Sequence, residues 1–122
     1  MKRDMDLIRL LLIQVETGEE PRGMDQHPEE ERAYNAALLI EAGLVKGTVV
    51  PNAEGGIHAA VITRLTWEGH DFLDAARSET VWTKAREKVL KPGLSWTFSM
   101  LLEFLKAEAQ AQMQKHGLLP PQ

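Results

Sequence analysis

An α+β fold, mostly helical, is predicted for this chain by three observations. Leu39-Ile40-Glu41-Ala42-Gly43-Leu44 ends a helix on a glycine. Two β-rich runs follow, Val45 to Val50 and Ile57 to Leu65, joined by Pro51-Asn52-Ala53-Glu54-Gly55-Gly56. Thr66 then stands where a new helix needs its cap, ahead of Trp67-Glu68-Gly69-His70-Asp71-Phe72-Leu73. Helix, glycine stop, hairpin and capped helix specify a winged helix-turn-helix core with a two-stranded wing. Two C-terminal helices complete the expected architecture. Residues 1–78 are expected to form the winged-helix core. Residues 79–118 are expected to form a helical extension packed on it, in a single domain overall.

Each element has its own signal. Met5, Ile8, Leu12 and Val15 recur at helical spacing beside Leu7 and Leu11, which predicts a helix from Met5 to Thr17. Asp4 is its expected N-cap and Gly18 its stop. Residues 18–27 are polar and rich in breakers, so a loop is expected, with room for a short turn or strand. Pro28 opens the second helix, and Glu29, Glu30 and Glu31 suit its first turn. Ala36, Leu39, Ile40 and then Leu44 are expected to face the core. Thr66 caps a third helix that runs to about Arg77. A fourth spans Thr80 to Leu90, stopped by Pro92-Gly93. A fifth starts near Ser95 and ends near Gly117, with Leu118 to Gln122 as a frayed tail.

Composition narrows the function classes. The 122 residues suffice for one core and not for two. No cysteine is present, so there is no disulfide framework and no thiol nucleophile, which fits a reducing cytoplasm. The longest apolar run, Leu10 to Ile13, is far short of a membrane span, and no signal peptide is read at the N-terminus. Net charge is −4. Residues 1–43 hold 5 Lys and Arg against 10 Asp and Glu, whereas residues 44–122 hold 9 against 8. DNA-binding domains draw much of their affinity from a basic face. In this chain the half that holds the reading helix is the acidic half.

The stretch Met1-Lys2-Arg3-Asp4-Met5-Asp6-Leu7-Ile8-Arg9, with Leu39 to Leu44, Thr63-Arg64-Leu65-Thr66-Trp67-Glu68-Gly69-His70-Asp71-Phe72-Leu73-Asp74 and Thr80-Val81-Trp82, resembles a bacterial family of unknown function. The resemblance covers nearly the whole chain. It implies short proteins from prophage-like settings, a winged-helix-like core, a bacterial or phage cytoplasm, and no established catalytic residues. One departure is visible: members often place His after the aromatic of the second helix, where this chain has Tyr34-Asn35.

Four constellations are candidates for function. The second helix, if Ala36, Leu39 and Ile40 face inward, shows Glu30, Glu31, Tyr34, Asn35, Leu38 and Glu41 outward. Asn35 suits adenine, and Arg32 suits a phosphate or guanine, with Arg64 near the base of the wing. The glutamates repel phosphates, so a solvated face is the preferred reading. The stretch Arg77 to Lys91 places Lys84, Lys88 and Lys91 on one helical face, for phosphates or an acidic partner; stripes of this kind are usually solvated exteriors. Nucleic-acid contact would therefore draw on Arg32, Tyr34, Asn35, Arg64, Lys84, Lys88 and Lys91. His70 and Asp74, four apart, could share an ion, but Asp74 pairing with Arg77 is the simpler expectation.

The fifth helix carries the most information. Leu94, Phe98, Leu101, Leu102, Leu105 and Ala109 form one apolar stripe. Trp96, Met100, Phe104, Ala107 and Ala111 form a second on another side, and a helix needs only one to dock on its own core. That second stripe is the expected protein interface, for a homodimer or another protein. There is no G-x-x-x-x-G-K loop, no G-x-S-x-G elbow and no carboxylate pair in an apolar setting, so no enzyme activity and no cofactor is expected. A non-enzymatic interaction module is the first reading, and a DNA-binding regulator the second.

Overall fold

The structure, a computed structural model, describes residues 1–117. The tail 118–122, expected to fray, lies outside the described residues. The fold is α+β: helices α1 (Met5–Thr17), α2 (Glu29–Glu41), α3 (Trp67–Ala76), α4 (Glu79–Lys88) and α5 (Phe98–Lys115), with strands β1 (Val45–Pro51) and β2 (Ile57–Leu65). The order α1, α2, hairpin, α3 is consistent with a winged-helix layout. The chain divides into two compact units, Met1–Leu73 and Asp74 onward, and the division falls inside α3.

In the first unit, Asp4 caps α1 by accepting from the Leu7 N–H at 3.2 Å. Gly18 closes the helix, its N–H donating to the Gln14 carbonyl at 2.8 Å. The loop that follows holds a 3-10 turn, Met24–Gln26, and Met24 is fully buried. Met5, Leu7, Ile8, Leu11 and Leu12 of α1 are buried together with Ala36 and Leu39 of α2. α1 packs on α2 and β2, and α2 packs on both strands. The strands pair antiparallel, Val45 against Leu65 and Val49 against Ala60. Their loop is held by the Asn52 side chain, whose Oδ1 accepts from the Glu54 and Gly56 N–H groups at 3.0 and 2.8 Å.

α2 ends in a Schellman motif. Gly43 takes φ 77°, a left-handed conformation that a Cβ would strain. Its N–H donates to the Ile40 carbonyl, and that of Leu44 to the Leu39 carbonyl, both at 3.1 Å. The freed carbonyls of Gly43 and Leu44 are then taken up by Thr66. The Thr66 hydroxyl donates to Gly43 O at 2.6 Å, and its N–H donates to Leu44 O at 3.0 Å. The same hydroxyl accepts from the Gly69 N–H at 3.1 Å, capping α3. α3 therefore lies so close to the end of α2 that a Cβ on Gly69 would overlap the Leu44 carbonyl oxygen.

In the second unit, Ser78 caps α4 through the Val81 N–H at 3.3 Å. Thr97 caps α5 through the Met100 N–H, also at 3.3 Å. Val81, Trp82 and Ala85 of α4 are buried, as are Leu101 and Leu105 of α5, and the two helices pack on each other. α4 ends at Lys88 rather than Leu90. Pro92 disfavours a helical conformation only for Lys91, the residue before it, and α4 stops earlier, with Val89 as its C-cap. α5 begins at Phe98, not near Ser95, because Thr97 is the hydroxyl placed to cap it.

Gly-to-Ala changes inside helices usually stabilise by about 1 kcal/mol. Gly69→Ala is expected to reverse that sign and cost about 3 kcal/mol, since a backbone carbonyl cannot swing aside. Thr66→Val is expected to cost roughly 1–3 kcal/mol through its two lost hydroxyl bonds. Urea unfolding of both variants measures these values.

Candidate functional site

α2 carries the side chains that a DNA-reading helix would use, and the fold disposes of most of them. Glu29, Glu30, Glu31 and Glu41 are all exposed. Arg32 is half-buried; its Nε donates to the His27 carbonyl at 2.7 Å and its Nη1 meets Glu20 at 3.3 Å. Its charge is thereby compensated, and its fork is aimed at the loop before α2. Tyr34 is half-buried.

Asn35 was expected to face outward and does not. It is 1% exposed, and its side chain works inside the fold. Its Oδ1 accepts from the Asp4 N–H at 2.8 Å, and its Nδ2 donates to the Glu31 carbonyl at 2.9 Å. Asn35 thus ties the start of α1 to α2. An amide with both ends bonded in a buried site is not available to a base edge.

The basic stretch is also rearranged. Lys84 pairs with Glu108 at 3.3 Å, while Lys88 is exposed on α4. Lys91 was expected to share their helical face, but it lies beyond the end of α4 and has no place in that stripe. Arg64 is exposed on β2, its Nη1 donating to the Leu65 carbonyl at 3.1 Å. Asp74 pairs with Arg77 at 2.9 Å, as the simpler reading of that segment expected. Among the described residues no group of three or more His, Asp or Glu side chains could hold a metal ion. Among them, too, no helix is long and apolar enough to cross a membrane.

On α5 the two stripes separate by burial. Leu101 and Leu105 of the first are fully buried, whereas Leu94, which precedes the helix, is exposed. Of the second stripe, Met100 is 53% exposed, Ala107 and Ala111 are exposed, and Phe104 is half-buried. Trp96 is half-buried and precedes α5, so the second stripe on the helix itself runs from Met100 to Ala111.

Sequence reasoning missed a groove in the first unit. It has a volume of about 640 Å³ and opens between α1, α2 and β2. Glu29, Arg32 and His58 line it together with Ala33, Ala36, Ala59 and Ala60. The signal available in the sequence was this set of alanines: side chains this small on facing elements leave room where larger ones would fill it.

Asn35→Leu keeps the branched shape, adds bulk and removes both bonds. It is expected to lower stability by roughly 1–3 kcal/mol, because the Asp4 N–H and Glu31 carbonyl lose their partner. The change in thermal midpoint measures it, and an unchanged midpoint would return Asn35 to surface chemistry.

Comparison with known proteins places the chain. The model of a family described as "Hypothetical protein (DUF2513)" matches residues 2–95. An uncharacterized protein of Haemophilus influenzae (strain Rd) is 32% identical over 117 residues, covering 90% of this chain and 93% of the relative. No solved structure shows a significant match. The opening Lys2-Arg3-Asp4 segment, the hairpin and the Thr66 to Asp74 stretch all fall within the matched range, and the chain belongs to the DUF2513 family.

Proposed function

We propose that this protein is a non-enzymatic interaction module that self-associates through the exposed side of α5. The observation that carries this reading is the apolar side chain of Met100, 53% exposed on a helix whose other side already buries Leu101 and Leu105. Phe104, Ala107 and Ala111 continue the same stripe. Exposed apolar surface at helical spacing is costly in water unless a second surface covers it. We take the protein to act in a bacterial cytoplasm in a phage-related setting, as its sequence resemblance implies.

The DNA-binding alternative is weaker than its sequence suggested. Asn35 is spent inside the fold and Arg32 is compensated by Glu20. Four exposed glutamates stand on α2. Of the residues expected to contact nucleic acid, Arg64, Lys88 and Lys91 stay exposed, and they are spread along the chain. Binding built on such contacts would weaken steeply with salt.

Light scattering on the purified protein tests the reading. A dimer mass is expected for the native chain. Ala107→Glu is expected to raise the dissociation constant at least tenfold, since burying an unpaired charge costs more than about 1.4 kcal/mol. The far-ultraviolet circular dichroism of that variant should be unchanged, because Ala107 is exposed. A native monomer sinks the proposal. Salt-sensitive binding of random duplex DNA would move the assignment to the regulator.

A further inference from the structure

Resting on the self-association reading, we infer that two copies pair antiparallel through α5, about a two-fold axis that crosses the helix between Leu105 and Lys106. The partner is a second copy of this chain, and the argument lies in the order of residue sizes along the stripe. Met100, Phe104, Ala107, Ala111 and Gln114 recur at alternating steps of four and three. This is the spacing of a helix–helix seam. Its first half is large, Met100 and Phe104, and its second half is small, Ala107 and Ala111. Polar Thr97 and Gln114 bound it at the two ends.

A parallel pair would set Phe104 against the partner's Phe104 and Ala107 against the partner's Ala107. The helices would be forced apart at one layer and left with a gap at the next, and both defects cost packing energy. The antiparallel pair seats Met100 on the partner's Ala111 and Phe104 on the partner's Ala107. Every layer then holds one large and one small side chain, so a single interhelix distance serves the whole seam. The contact is self-complementary, as a closed two-fold interface requires.

Charge selects the same orientation. In a parallel pair Glu103 flanks the seam opposite the partner's Glu108, a like-charge contact. In the antiparallel pair Glu103 falls opposite the partner's Gln110. Glu108 keeps its ion pair with Lys84, at 3.3 Å within the same chain.

The chain has no cysteine, so introduced thiols report geometry without background. Met100→Cys and Ala111→Cys are prepared separately, one carrying a mass tag, and oxidised mildly alone and as a mixture. In the antiparallel pair the two thiols of a Met100→Cys dimer lie about 16 Å apart along the axis, from eleven residues at about 1.5 Å each, too far for a disulfide. The expected result is a tagged–untagged disulfide in the mixture, at least tenfold above the covalent dimer formed by either variant alone. Efficient cross-linking of each variant by itself would overturn the antiparallel pairing in favour of a parallel one. No cross-link in a protein that still scatters as a dimer would overturn the α5 seam and leave self-association standing. A monomer in solution would remove both.

Discussion

The contact of Thr66 with the end of α2 governs the first unit. A helix that stops on Gly43 leaves carbonyls pointing out of its last turn, and buried carbonyls must be bonded. The turn of Gly43 and Leu44 bonds those of Ile40 and Leu39, and Thr66 takes the two carbonyls just past the stop, Gly43 O through its hydroxyl and Leu44 O through its N–H, and in the same act caps α3. The hairpin lies between these partners, so closing the contact also sets where β1 leaves and β2 returns. Gly69 follows from this arrangement. With α3 anchored on Leu44, no side chain fits at its point of closest approach.

Asn35 plays a matching part at the other end of α2. It joins Glu31 to Asp4, and Asp4 is itself the cap of α1. Helix starts and stops are thus bonded across elements rather than only within them. This has a functional consequence. The side chain best suited to read a base has been drawn into the framework, and what α2 leaves outside is largely acidic. A layout that suggests DNA binding does not by itself supply the chemistry for it.

α5 has apolar residues on two sides. One side is buried with Leu101 and Leu105, against which α4 packs. The other runs from Met100 to Ala111 and remains largely open. The size order along that second side, large then small, is what turns an exposed patch into a surface with a direction. A stripe of uniform leucines would have accepted either orientation, whereas this one distinguishes them by layer volume.

Much of the fold was legible from residue order, and the reason is that its signals are local. The bounds of α1, its cap Asp4, its stop Gly18 and the return strand Ile57–Leu65 all lie where periodicity, capping chemistry and glycine place them. A left-handed stop or an N-cap is a requirement that a few neighbouring residues satisfy among themselves. The two stripes of α5 were legible for the same reason, although Trp96 and Leu94 fell outside the helix once Thr97 took the cap. Helix ends are weakly specified, and Lys91 was lost to its stripe in the same way. The site residues were less legible because their fate depends on distant partners. Asn35 reads as an outward amide until Asp4, 31 positions away, claims its oxygen. Thr66 reads as a simple cap until the Gly43 carbonyl, 23 positions away, accepts its hydroxyl hydrogen bond. The groove beside His58 takes its walls from α1, α2 and β2, so no one segment announces it. Sequence alone determined which elements form, because helix and strand signals are read within a few residues. Tertiary structure decided which polar groups remain for a partner, because that depends on which distant groups have already bonded them.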